Sequence, residues 1–170
     1  MKVIHYTDKK DWSLKPIKIT NPWKGDGLSI KPLGGIWCSP SNSKYSWKDW
    51  CKAESFGRGK YRVELDVDLT NFVIIDSVED CLSRLIWVEP KNRINSCIDF
   101  EQMKSNGVTG IYLTDKGQAE TRFMTPYSKS LYGWDCESLV ILDEKAILSW
   151  KLCSYQRGRN LSKLQTSIGV

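Results

Sequence analysis

Between Tyr61 and Val67 the chain alternates Tyr61-Arg62-Val63-Glu64-Leu65-Asp66-Val67, apolar and polar at successive steps. A period of two places alternate side chains on opposite faces of an extended backbone, so this segment fits a strand with one buried face and one wetted face. Shorter apolar runs bounded by turn residues predict further strands at Lys2 to Tyr6, Gly35 to Ser39, Phe72 to Ile75, Gly110 to Thr114, Ser138 to Leu142 and Ala146 to Leu152. Helical spacing occurs in only three places. Trp47, Trp50 and Cys51 recur so within Tyr45 to Ala53, behind the turn and capping residues Ser41-Asn42-Ser43. Ser77 predicts an N-cap for a helix through Val78, Cys81, Leu82 and Leu85, with Glu79 and Asp80 where the helix dipole favours anions. Asp99 to Ser105 predicts a third, ended near Asn106-Gly107. Asp8 to Leu33, carrying Pro16, Pro22, Pro32, Gly25 and Gly27, reads as a long irregular connection, and residues 115–130 read as polar loop. Because helices do not follow every strand, the pattern is that of an α+β domain and not a doubly wound sheet.

A chain of 170 residues with 41% hydrophobic residues can bury one core and is short for two, so we expect a single domain over residues 1–154 with a basic tail over 155–170. The net charge of +5 allows an anionic ligand or nucleic acid without requiring either. Cys38, Cys51, Cys81, Cys97, Cys136 and Cys153 form no CxxC pair, which argues against a structural zinc site and leads us to expect no metal. No basic-then-apolar leader opens the sequence, and no run approaches the ~18 apolar residues of a membrane span. Free thiols, a cytoplasmic location and no membrane partner are therefore the expectation.

Three blocks carry residue types suited to chemistry: His5-Tyr6-Thr7 on the first strand, Gly35-Ile36-Trp37-Cys38-Ser39 leading to the tryptophan-bearing helix, and Trp134-Asp135-Cys136-Glu137-Ser138 opening a late strand. Their order resembles the ADP-ribosyltransferase superfamily, on the branch whose diphtheria-toxin-type and poly(ADP-ribose) polymerase-type sites combine a His, an aromatic and a Glu. The resemblance spans three blocks between residues 4 and 142. It departs from the family pattern at Trp37, where a tyrosine is usual, and at Tyr6, where a glycine is common. Asp135, two positions before Glu137, is a competing carboxylate, and the two share a side if the backbone there is already extended.

The resemblance implies an α+β fold of split mixed and antiparallel sheets with peripheral short helices, and NAD as co-substrate. It further implies that Glu137 promotes bond cleavage, that His5 with Tyr6 and Thr7 holds the dinucleotide, and that Trp37, with Trp47 or Trp50 and Tyr45, frames the nicotinamide. Ser39 and Ser138 are minor candidates for bonding the cofactor. The chemistry is coherent in itself: cleaving the nicotinamide glycosidic bond builds positive charge on ribose C1′, which a carboxylate against the 2′-hydroxyl stabilises. An imidazole can donate from one nitrogen and accept at the other, as a ribose contact needs.

The expected function is thus an NAD-dependent mono-ADP-ribosyltransferase acting on a protein or nucleic-acid acceptor. Its small size would suit a toxin or viral effector acting inside a cell. The resemblance further implies a target-recognition turn in Asp115 to Ser130, just before the acidic block and including Arg122, Phe123 and Tyr127, where an aromatic could stack on a base or sit beside an arginine side chain. Two alternatives stay open: an NAD glycohydrolase using the same site, and a non-catalytic nucleic-acid-binding module using the basic face and exposed aromatics.

Overall fold

The computed structural model describes residues 1–25, 30–91 and 95–154. Seven strands build one mixed sheet in the order β11 (Ile147–Ser154), β5 (Tyr61–Val67), β1 (Lys2–Thr7), β4 (Ile36–Pro40), β10 (Ser138–Ile141), β9 (Gly110–Leu113) and β6 (Phe72–Ile75). Neighbours run antiparallel except β6 and β9, which are parallel. Two small ribbons flank the sheet, β2 (Ile19–Thr20) with β3 (Leu33–Gly34) and β7 (Trp87–Val88) with β8 (Cys97–Ile98). With α1 (Trp47–Ala53), α2 (Val78–Arg84), α3 (Phe100–Ser105) and α4 (Asp115–Thr121), the architecture is α+β.

The alternation in β5 does what its period demands. Val63, Leu65 and Val67 are buried, whereas Arg62 and Glu64 point the other way and pair at 2.7 Å. β10 is covered on both faces, which is why it reads as an unbroken apolar run. Val140 joins Ile75, Ile98, Phe100, Ile111, Leu113 and Trp134 in one core cluster, to which α2 contributes Cys81, the residue capping its C-terminus Leu85, and α3 Met103. Leu139 and Ile141 join Val3, Cys38, Val63, Leu65 and Val67 in the other. Register fixes this division, since Trp37 lies opposite Val140 and Cys38 opposite Leu139.

Two local expectations are corrected. Asp115–Thr121 is a helix and Tyr127–Lys129 a 3-10 turn, within the stretch expected to be loop. Thr114 caps α4 by accepting the Gly117 N–H, and the residues that α4 buries are Gly117 and Thr121, so no apolar stripe announces it. A Cβ on Gly117 would fall 2.1 Å from the Ile75 carbonyl oxygen, so glycine is what lets the helix approach the sheet. α1 begins at Trp47 and is capped by Ser46, whose N–H and hydroxyl both donate to Asp49, and not by the residues at 41–43. The basic tail, residues 155–170, lies outside the described residues.

Candidate functional site

β1 and β4 pair at only two positions, Val3 with Pro40 and Ile4 with Ser39. Beyond them β1 stays paired with β5 as far as Thr7, and β4 stays paired with β10 back to Ile36. Each strand follows its other neighbour, the two part, and a cleft of about 310 Å³ opens between them. Ile4, His5 and Tyr6 line it from β1, Trp37 and Cys38 from β4, and Trp47 from α1. Trp134, Asp135, Cys136 and Ser138 close it from the approach to β10, and Lys31 reaches in from the long first connection.

His5 bridges the gap where the strands separate. Its Nδ1 lies 2.8 Å from the Trp37 carbonyl oxygen. A carbonyl only accepts, so Nδ1 carries the proton and donates, and in the neutral ring Nε2 is left as an acceptor. Burial lowers the His5 pKa below the ordinary histidine value, against the opposing effect of the bond to Trp37. The ring is therefore neutral at physiological pH, with its tautomer set by the fold. Trp12 packs beside it at 5.8 Å between ring centroids.

The cleft is walled by indoles. Trp134 is 1% exposed, its N–H donates to the Ile30 carbonyl at 2.9 Å, and its ring meets that of Trp37 edge-on at 4.7 Å and 68°. Trp47 stacks on Trp50 at 4.8 Å and 15°, so the wall that Trp47 presents is itself backed by a ring. Its position is set by Ser39, a buried residue whose hydroxyl accepts the Trp47 N–H at 2.9 Å. Lys31 Nζ sits 5.5 Å above the Trp37 ring and 3.8 Å from Asp135. Burial lowers the Lys31 pKa, with Asp135 opposing the shift.

The two carboxylates of the acidic corner face different ways. Residues 136 and 137 form a bend and not extended strand, so Asp135 and Glu137 do not share a side. Asp135 turns into the cleft beside Lys31. Glu137 is half-buried and does not line the cleft; its Oε1 accepts the Tyr112 hydroxyl, and Tyr112 packs against the cluster of Val3, Cys38 and Leu139. Its Oε2 makes no hydrogen bond among the described residues. Burial, followed by the bond to Glu137, raises the Tyr112 pKa, so the phenol remains a donor.

Of the residues singled out from sequence, His5, Tyr6, Trp37, Trp47, Asp135 and Ser138 converge on the cleft, whereas Glu137 is not among its lining residues. Ser39 holds the start of α1, Trp50 backs Trp47, Tyr45 is exposed, and the Thr7 hydroxyl accepts the Lys9 N–H. Sequence reasoning missed Lys31, one lysine among several in an irregular connection, and took Trp134 only as a neighbour of the acids. The cleft cysteines are not poised nucleophiles, since burial raises the pKa of both Cys38 and Cys136. Among the described residues, no group of three or more His, Cys, Asp or Glu side chains is placed to hold a metal. Set against known proteins, the chain matches no family model, no curated protein and no solved structure.

Proposed function

We propose that the chain is an NAD-dependent mono-ADP-ribosyltransferase built on a split sheet of the ADP-ribosyltransferase type. The observation that carries this is the convergence of the three sequence blocks: His5, Trp37 and the acidic corner come from β1, β4 and the mouth of β10, which are adjacent strands around one cleft. A core of ordinary strands does not require its only histidine, a tryptophan wall and the Asp135 carboxylate to meet where two strands separate.

The geometry supplies the parts that the reaction needs. His5 Nε2 is a fixed acceptor for a ribose hydroxyl. Trp37 and Trp47 offer apolar walls for the flat nicotinamide, and such ring contacts contribute roughly 0.5–1.5 kcal/mol each beyond burial. Lys31 is a positive charge inside the cleft, suited to the diphosphate. In the chemical step the bond from C1′ to the nicotinamide nitrogen breaks and its electron pair leaves with nicotinamide. C1′ takes on positive charge, and a nucleophile of the acceptor adds there and loses its proton.

We assign the stabilising carboxylate to Glu137. Tyr112 orients it through one oxygen and leaves the other available for the ribose 2′-hydroxyl, whereas the Asp135 charge is balanced by Lys31. Glu137 does not line the cleft, so on this reading a ribose must extend past the lining, toward the start of β10, to meet it.

The test is incubation of the purified chain with labelled NAD and a cell lysate, beside Glu137→Gln. Released nicotinamide and label transferred to a macromolecule, both lost in the variant, are the expected results. Release without transfer under every acceptor condition would make water the acceptor and the enzyme a glycohydrolase. Neither release nor transfer would end the NAD reading.

A further inference from the structure

The long first connection shapes a second concavity, which the proposed reaction does not use. A groove of about 580 Å³ lies against the start of β4 and shares no lining residue with the cleft. The two come together at one ring contact, with His5 on the cleft side and Trp12 on the groove side, 5.8 Å apart between centroids. Three lysines line the groove, Lys9, Lys15 and Lys18, and all three are exposed. Asp11 is the only carboxylate among the described residues that line it. Neither that carboxylate nor any of the three lysines makes an ion pair among the described residues.

The backbone that carries these charges is held. Lys9 N–H donates to Thr7 Oγ1 at 3.2 Å, and Trp12 meets Trp150 of β11 edge-on at 5.3 Å and 77°. Further along, Ile17 donates its N–H to the Glu144 carboxylate at 2.8 Å, and its carbonyl accepts from the Lys104 ammonium at 2.7 Å. A Cβ on Gly34 would stand 2.2 Å from the Lys18 carbonyl oxygen, and Gly34 has a positive φ, so glycine lets the end of the connection lie close against β3. Like charges gathered round one concavity repel one another. On a segment pinned at both ends, an anion placed between them relieves that repulsion without the backbone having to move.

The geometry points to this groove as a binding site for a ligand that carries a chain of phosphoryl groups, separate from the dinucleotide cleft. The inference goes beyond the NAD reading and does not depend on it. Lys9 follows β1 and Lys18 precedes β2, so the cations come from both ends of the connection and suit an extended anion better than a compact one. A lysine ammonium binds phosphate as a point charge and imposes no fixed fork on it. Trp12, Ile17 and Ile36 give the groove apolar walls, against which the base of a nucleoside polyphosphate would pack.

Calorimetry on the full chain with tripolyphosphate, orthophosphate and ATP tests the site. We expect tripolyphosphate to bind one to one, orthophosphate to bind more weakly, and both to weaken as salt is raised. Lys9→Gln, Lys15→Gln and Lys18→Gln should each weaken tripolyphosphate about two- to fivefold, the scale of one exposed charge pair, and the triple variant should weaken it more than about tenfold. Asp11→Asn should tighten it by a factor similar to that of one lysine. Lys48→Gln and Lys52→Gln, exposed on α1, should leave it unchanged, and NAD should not displace it. ATP no tighter than tripolyphosphate would make the phosphoryl chain itself the ligand. Tighter ATP, with the gain lost in Trp12→Leu, would make the ligand a nucleotide.

Absence of saturable tripolyphosphate binding would overturn the site. So would binding that Lys48→Gln and Lys52→Gln weaken as much as the groove variants do, since that is the general attraction of a chain of net charge +5. Displacement of tripolyphosphate by NAD, mole for mole, would overturn its independence and make the groove an arm of the cleft. Lysine-dependent tripolyphosphate binding in a chain that neither binds nor cleaves NAD would remove the NAD reading and leave the groove standing.

Discussion

The two ends of the cleft are prepared to different degrees. At the β1 end, His5 is held by the Trp37 carbonyl, half-buried, neutral and of one tautomer, and it needs no rearrangement to accept a hydroxyl. At the β10 end the carboxylates part around a bend, with Asp135 on Lys31 inside the cleft and Glu137 on Tyr112 outside its lining. The recognition proposed for His5 would thus be written into backbone pairing, because its contact with Trp37 lies where β1 and β4 separate. The charge that the proposed reaction would use rests on side-chain orientation. Binding and turnover should therefore respond separately to substitution.

The largest effect expected is one that abolishes the contrast. Trp134 is packed against Trp37 and bonded to Ile30, so Trp134→Ala should remove the wall common to both ends and cost about 3–5 kcal/mol of stability. Urea unfolding followed by circular dichroism would measure it. A loss below about 1 kcal/mol would mean that the wall is not part of the core.

Next comes the acidic end. Glu137→Gln should lower nicotinamide release about 10²–10³-fold, the scale expected when a group that stabilises developing charge is removed, with NAD affinity unchanged. Asp135→Asn should lower it less than about tenfold. The reverse order would transfer the chemistry to the carboxylate inside the cleft.

The smallest effect is expected at the prepared end. His5→Gln should weaken NAD by about fivefold, the value of one net hydrogen bond, with little change in kcat. Its pH dependence is also fixed in sign. The folded pKa of His5 lies below the unfolded value near 6.5, so the stability contributed by the neutral ring is present above that value and is lost as pH falls toward the folded pKa. NAD affinity should be level at pH 6.5 and above and fall only as pH approaches the lower, folded pKa of His5, and the acid limb should disappear in His5→Gln. An acid limb centred above 6.5, or one that survives the substitution, would show that another group titrates.

Much of the scaffold could be read from the residues themselves. The alternation of Val63, Leu65 and Val67, the Ser77 cap and the apolar run into β10 each state a local preference that the fold honours. α4 was hidden because it buries a glycine and a threonine in place of an apolar stripe. The convergence of His5 with Trp37 and the acidic corner was legible only as the order of three blocks, since their meeting depends on strand pairing between distant segments. That β1 and β4 pair at two positions and then diverge is a property of register, which no single run of residues displays. Lys31 lay beyond reach for the same reason, as nothing local separates it from the other lysines of the first connection.

The most direct test of the central claim is titration of the purified chain with NAD by calorimetry, at a pH well above the histidine range, beside His5→Gln and Trp37→Ala. Saturable one-to-one binding, weakened about fivefold by the first substitution and similarly or more by the second, is the predicted result. Absence of saturable binding, or binding that neither substitution alters, would contradict the assignment of the β1–β4 cleft as a dinucleotide site.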